Sequence, residues 1–375
     1  MSRSTSGADR REALRELLRV AEIDALLVTN LINVRYLTGF TGSNAALVVH
    51  ASDSASDEAR TRLATDTRYT TQAAAQVPDL AVQVERSSAP PLVTKAAEDG
   101  VARLGFESDH VTVDGHARLT KVAAEATGCT ELHRAPGMVQ KLRQVKDEGE
   151  VAVLRAACAA ADAALADLIA AGGIRPGRTE REVGWDLEAR MREHGADGPS
   201  FETIVAAGAN SAVPHHRPTD AVLAAGDFVK LDFGALVAGY HSDMTRTLVL
   251  GEPADWQREI YELVATAQAA GRDALAVGTG FGTIDAAARD VIAAAGHAEH
   301  FGHGLGHGVG LEIHEAPSLS ATGPGELQLG MAVTVEPGVY LAGRGGVRIE
   351  DTLVVRDGEP ELLTQTTKDL VTLPL

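Results

Sequence analysis

The stretch LAAGDFVKLDFGALVAGYHSDMTRTLVL, residues 223–250, has a counterpart a hundred residues further on: LQLGMAVTVEPGVYLAGRGGVRIEDTLVV, residues 327–355. In each, a glycine is followed six residues later by an acid at the end of an apolar β-type run, Gly226 then Asp232 and Gly330 then Glu336. A Gly-containing turn follows, and the returning run holds a second acid, Asp243 or Glu350. Upstream of each lie, in the same order, a helix-periodic segment (TEREVGWDLEARMREHG; GTIDAAARDVIAAAG) and a His-bearing stretch. The repetition reads as an internal duplication, two α/β halves about a pseudo-twofold axis.

If both stretches are hairpins, the first turns between Val237 and Ala238 and the second at Gly343. That sets Asp232 opposite Asp243 and Glu336 opposite Glu350, about 5 Å apart at Cβ. Pro337, directly after Glu336, stops ladder pairing at the acid. Four carboxylates gathered in a dry pocket must either take up protons or hold cations. An oxygen-rich site with one imidazole suits Mn, with Co or Zn as alternatives. Two such ions about 3.5–4 Å apart can activate a bridging water and polarise a carbonyl.

The histidines need separate treatment. His303 and His307 are spaced i, i+4, as in a helical zinc site. Glycine at 302, 304, 306, 308 and 310 opposes a helix there, and an extended ribbon with His303, Leu305, His307 and Val309 on one side fits better. Ile313-His314-Glu315 lacks the order of a zincin motif. His215 and His216, in the loop ANSAVPHHRPTD, precede the Asp232 run as His314 precedes the Glu336 run.

Composition bounds the partners. The 375 residues are 45% hydrophobic and 23% charged, which is ordinary for a globular chain and long enough for two domains. A formal net charge of −18 opposes phosphate backbones and anionic lipid, so neither nucleic acid nor membrane is expected as a partner. Met1 to Asp9 is polar without an apolar core, so no secretory signal is expected. Cys129 and Cys158 lack metal-type spacing and suit a reducing cytoplasm. The first part of the chain alternates a helix (REALRELLRVAEI) with short strands (DALLVTN, AALVVH), and ARLGFES precedes a further strand candidate, HVTV. The division expected is an N-terminal α/β domain over 1–137 and a second domain over 138–375. The latter begins with a long helix from Met138 to Ala171 that stops at Gly172-Gly173.

Taken in order, PHH at 214–216, LDFG at 231–234, YHSDMTRT at 240–247, GHGLGHGVGLEIHE at 302–315, VEPGVY at 335–340 and GVRIED at 346–351 closely resemble the pita-bread metallopeptidases. The likeness is to their Xaa-Pro branch, which includes aminopeptidase P and prolidase, and NVRYLTGFTGSNAALVV at 33–49 resembles that branch's N-terminal domain. The resemblance implies a creatinase/prolidase-type domain followed by a duplicated catalytic domain. It implies two divalent ions held by Asp232, Asp243, His307, Glu336 and Glu350, with Asp243 and Glu350 spanning both. A hydroxide bridging the ions would attack the Xaa-Pro carbonyl, and Glu336 would carry the proton. His215 and His314 would hold substrate and stabilise the tetrahedral intermediate. His303, Tyr240 and Arg348 would support ligands or substrate, Arg348 by restraining Glu350. A proline-containing peptide is the implied partner, in a homodimer.

Within that branch, a dipeptidase needs a cation for the free C-terminal carboxylate. Prolidases carry an arginine soon after the equivalent of His314, where this chain has Glu315-Ala316-Pro317-Ser318. The missing charge favours an aminopeptidase acting on longer peptides, with a dipeptidase as the alternative. A creatinase-like amidinohydrolase should lack the metal ligands, and a methionine aminopeptidase the N-terminal domain. A binding module that keeps the fold without catalysis is the reading furthest from these residues.

Overall fold

The helix-forming run that starts at Met138 is broken in the computed structural model, which describes residues 6–51 and 58–375. Met138–Arg143 and Glu148–Ala170 are separate helices, where one continuous helix was expected. The cause is a start signal inside the run: Asp147 and Glu150 form a reciprocal capping box, each side chain bonded to the other's backbone N–H. Val145 bridges to Met331, and Lys146 N–H donates to Gly330 O at 2.9 Å. The chain divides into two compact units at this break, between Arg143 and Gln144.

The N-terminal unit is built on a six-stranded mixed sheet. Its spatial order is Ala81–Val84, Arg62–Thr65, Ala45–His50, Ala25–Val28, Arg103–Phe106, Glu131–Arg134. Ala25–Val28 and Ala45–His50 are buried along their whole length, which is why they read as continuous apolar runs. ARLGFES is itself a strand, and HVTV is not one. Thr112 Oγ1 instead accepts from Gly115 N–H and caps the helix Val113–Glu125.

The second unit repeats one pattern twice. Helices Glu148–Ala170 and Glu180–Glu193 pack with the antiparallel strands Ile204–Ala207, Phe228–Phe233 and Met244–Leu250 around one apolar cluster, which includes Leu165, Leu187, Val229 and Leu231. Helices Asp255–Asp273 and Phe281–Ala294 pack with Gly306–Gly308, Ala332–Val335 and Asp351–Val354 around another, which includes Val264, Ile284, Val333 and Val335. Each half thus builds a core, and Phe228 and Val249 of the first half reach into that of the second.

A polar seam joins the halves. Glu350 N–H donates to Thr245 O at 3.1 Å, Thr247 Oγ1 to Arg348 O at 3.0 Å and Thr352 Oγ1 to Asp243 O at 2.8 Å. Buried Arg246 meets buried Asp351 at 2.8 Å along the same line. Among the described residues no helix is long and apolar enough to cross a membrane, and both cysteines are free.

Candidate metal centre

The first hairpin turns one residue later than its sequence suggests. Leu236 pairs with His241 and Val237 with Tyr240, so the turn residues are Ala238 and Gly239, both at positive φ. Asp232 therefore faces Thr245, and Asp243 stands just ahead of the returning strand instead of opposite Asp232. In the second hairpin Val335 pairs with Asp351 and Gly338 with Arg348. The same register carries Glu336 across from Glu350, at the gap between two ladder segments.

The acids meet across the seam. Single donor atoms of Asp243, His307 and Glu350 all lie within 4.8 Å of one another. His307 Nε2 is 3.6 Å from Asp243 Oδ2 and 3.4 Å from Glu336 Oε1. Its other ring nitrogen, Nδ1, donates to Gly308 O at 3.0 Å, which leaves the Nε2 lone pair aimed at the carboxylates. Burial lowers the His307 pKa to about 4, so the ring is neutral at pH 7. The short strand carrying it can exist only with glycine on either side. A Cβ on Gly306 would lie 2.0 Å from Thr334 O, and one on Gly308 2.2 Å from Ala316 O.

Electrostatics mark the cluster as short of positive charge. Burial, reinforced by the negative charges of Glu350, Asp232 and Glu336, pushes Asp243 well above the usual carboxylate range. Glu350 is raised by the same kind of burial and by Glu336 and Asp232. Burial brings Glu336 up to about 8, against the opposing pull of Arg348. Asp232 Oδ2 is paired with Arg348, but its Oδ1 is buried with no hydrogen-bond partner. An orphaned carboxylate oxygen, the buried carboxyls of Asp243 and Glu350, the largely buried Glu336 and one aimed imidazole are donors that fit divalent cations of the Mn type.

Arg348 reaches Glu350 indirectly and pairs with Asp232 directly. Its Nη2 pairs with Asp232 and its Nε donates to Thr245 Oγ1 at 2.9 Å. Thr245 in turn donates to Glu350 Oε2 at 2.7 Å, so the arginine reaches Glu350 only through a hydroxyl. Its Nη1 donates to Tyr340 OH at 2.9 Å, and Tyr340 lies 2.9 Å from His303 Nε2. His303 Nδ1 donates to Gly304 O at 2.8 Å, so Nε2 must accept and the Tyr340 hydroxyl must donate to it.

A cavity of about 290 Å³ opens over the cluster. Asp232, Asp243, His307, Glu336, Glu350, His215 and His314 all line it. The His314 ring packs edge-on against His307 with centroids 4.5 Å apart. His303 and Arg348 stand behind this lining. Tyr240 is not brought to the cavity: it is buried in the short strand after the turn, with its hydroxyl donating to Glu150 Oε1 of the helix Glu148–Ala170 at 2.9 Å. His300 pairs with His297, 3.1 Å between Nδ1 atoms, away from the acids.

Several working side chains were not singled out in the sequence. Tyr340 stands in VEPGVY, and a Cβ on Gly338 would lie 2.5 Å from its hydroxyl, so that glycine makes its space. Lys230, wholly buried two residues before Asp232, donates to Val213 O at 2.7 Å and Pro214 O at 3.2 Å. Burial, with Arg348 nearby, lowers its pKa to about 6. Glu180 is buried and accepts from Ala207 N, Asn210, His216, and both N–H and hydroxyl of Thr219, all at 2.8–2.9 Å. Burial raises its pKa, but these bonds outweigh it and hold the carboxyl below the usual range. Together Lys230 and Glu180 pin the loop that carries His215.

Comparison with known proteins agrees with this geometry. Residues 152–357, more than half of the chain, match Metallopeptidase family M24, and residues 10–145 match the Creatinase/Prolidase N-terminal domain. The uncharacterized peptidase YqhT of Bacillus subtilis (strain 168) is 41% identical over 363 residues, 96% of this chain and 99% of that protein. The structure of an Xaa-Pro dipeptidase from Bacillus anthracis superposes with a TM-score of 0.90 at 39% identity, covering 98% of this chain and 100% of the other. That of an X-Pro aminopeptidase from Thermotoga maritima MSB8 does so at 0.84 and 32%, covering 95% and 99%. With its duplicated halves and its buried carboxylates meeting at one cavity, the chain belongs to metallopeptidase family M24.

Proposed function

We propose that the protein is a dinuclear-metal exopeptidase that hydrolyses Xaa-Pro bonds, with dipeptides as its preferred substrates. The observation carrying this reading is the convergence of Asp232, Asp243, His307, Glu336 and Glu350 from both halves on one cavity, with Asp232 Oδ1 left without a partner. These five residues would hold two divalent ions, Mn in the first instance, with Co or Zn as alternatives. Bound there, the ions would neutralise the cluster, acidify water and polarise the scissile carbonyl.

The chain's own groups supply the rest of the chemistry. Glu336 takes the proton of the attacking water and passes it to the prolyl nitrogen as the C–N bond breaks. That nitrogen carries no hydrogen before cleavage, so protonation is what lets it leave. His215 and His314, both on the cavity lining, donate to the carbonyl oxygen as it gains charge. Arg348, Thr245, Tyr340 and His303 hold the acids and the hairpin at fixed positions.

The absence of an arginine soon after His314 by itself favours an aminopeptidase. The relatives support the alternative better: the Bacillus anthracis dipeptidase is nearer in both identity and TM-score than the Thermotoga aminopeptidase. Manganese-loaded protein should cleave Ala-Pro faster than Ala-Pro-Ala. Cleavage of the tripeptide alone would restore the aminopeptidase reading, and cleavage of neither would remove the Xaa-Pro assignment. On the same reading the enzyme is a cytoplasmic homodimer, for which sedimentation velocity is the check.

A further inference from the structure

A dipeptidase must solve a charge problem that a longer peptide does not pose. The carboxylate of a C-terminal proline lies two bonds from the leaving nitrogen, so in the productive pose it enters a cavity already lined by four acids. The ions that would neutralise those acids are taken up by them, so the substrate carboxylate, leaving water, still needs a cationic partner of its own. The cations nearest the cluster are committed: Lys146 pairs with Glu315 at 2.7 Å, Lys230 is spent on two carbonyls, and Arg348 on Asp232, Thr245 and Tyr340.

Among the described residues that line the cavity, Arg217 alone carries a fixed positive charge. Its side chain is exposed, and its Nε lies 3.2 Å from Glu202 Oε2, also on the lining. That contact leaves the two-Nη edge of the guanidinium without a partner among the described residues, in the form that grips a carboxylate bidentately. The backbone beneath it is fixed. His216 on one side and Thr219 beyond Pro218 are both bonded to buried Glu180, while Lys230 holds the carbonyls of Val213 and Pro214. Pro218 further restricts the conformation of Arg217.

We propose that Arg217 is the specificity-determining residue of the site: its guanidinium receives the α-carboxylate of the substrate's C-terminal residue and so favours dipeptides. Glu202, at Nε, leaves that edge open, while its negative charge opposes an incoming carboxylate. This inference rests on the Xaa-Pro reading. It places the charge on the loop before the Asp232 strand, on the opposite half from the segment after His314 where the sequence shows none.

The test compares Ala-Pro with Ala-Pro amide, which keeps the scissile bond and loses the carboxylate. The manganese-loaded wild type should prefer the acid. Arg217→Gln should raise KM for Ala-Pro on the order of tenfold, the scale of one charge-assisted hydrogen bond, and barely change KM for the amide. Arg217→Lys should recover part of the preference, and Glu202→Gln should strengthen it by removing the opposing charge. Equal losses on acid and amide, or an unchanged ratio, would overturn the role of Arg217 while leaving the peptidase reading in place. Failure of the wild type to cleave either compound would overturn both.

Discussion

The hairpin from Phe228 to Leu250 turns tightly at Ala238 and Gly239, whereas that from Ala332 to Val354 turns in a longer loop around Gly343, and each is split into two ladder segments. The first sets Asp232 against Thr245, an acid against a hydroxyl, and leaves Asp243 outside the returning strand. The second sets acid against acid, at the gap left by Glu336-Pro337. Duplicated folding therefore does not give a symmetric site. The second hairpin contributes the cation, Arg348, that neutralises an acid of the first, and the first contributes the hydroxyl, Thr245, that holds an acid of the second. Each hairpin is incomplete alone, and the seam between them is where the donors converge.

Four substitutions probe that division of labour. The largest effect is expected for Glu336→Gln, which removes the proton carrier from the second hairpin. Turnover should fall roughly 10²–10⁴-fold with the circular dichroism spectrum unchanged, and a fully active variant would take Glu336 out of the mechanism. Next is Thr245→Val, which keeps shape and deletes the hydroxyl between Arg348 and Glu350. Manganese affinity, read by calorimetry, should weaken roughly 10- to 100-fold. Unchanged affinity would mean that the first hairpin does not help hold Glu350.

Glu180→Gln tests the loop that the first half contributes. Loss of a charge-assisted acceptor for five donors should cost about 1–3 kcal/mol in urea unfolding at neutral pH. Because its folded pKa lies below the ordinary 4.5, Glu180 stabilises fully above that value and loses its contribution as pH falls through the folded pKa. The gap between wild type and variant should thus close in acid, and a gap that widened there would have the sign wrong. The smallest effect belongs to Ala238→Asn, which gives the tight turn the residue pair its positive φ favours. Stability should rise by up to about 1 kcal/mol, with manganese affinity unmoved.

How much of this was legible in the sequence follows from how local each signal is. Gly330, Glu336, Pro337, Glu350 and Gly343 lie within one hairpin, and their spacing carries the register. Asp232 and Asp243 do too, but an alanine at positive φ is invisible in composition, so the turn moved by one residue and the facing partner changed. Glycine alternation around His307 was readable because backbone crowding demands it. Glu180 was not, since nothing in TEREV distinguishes the buried Glu180 from Glu182, which closes the capping box on Thr179. Lys230, Tyr340 and Tyr240 likewise take their roles from partners far off in the chain. Tyr240 belongs to Glu150, and no local pattern could have told that contact from a substrate contact.

On the proposed function, both hairpins together hold two divalent ions needed for Xaa-Pro hydrolysis. Chelator-stripped protein titrated with manganese, with binding followed by calorimetry and Ala-Pro cleavage assayed along the same series, tests it most directly. Two ions per chain, with cleavage absent at the start and returning as the sites fill, is the predicted result. Full cleavage by stripped protein, or no manganese binding at all, would contradict it.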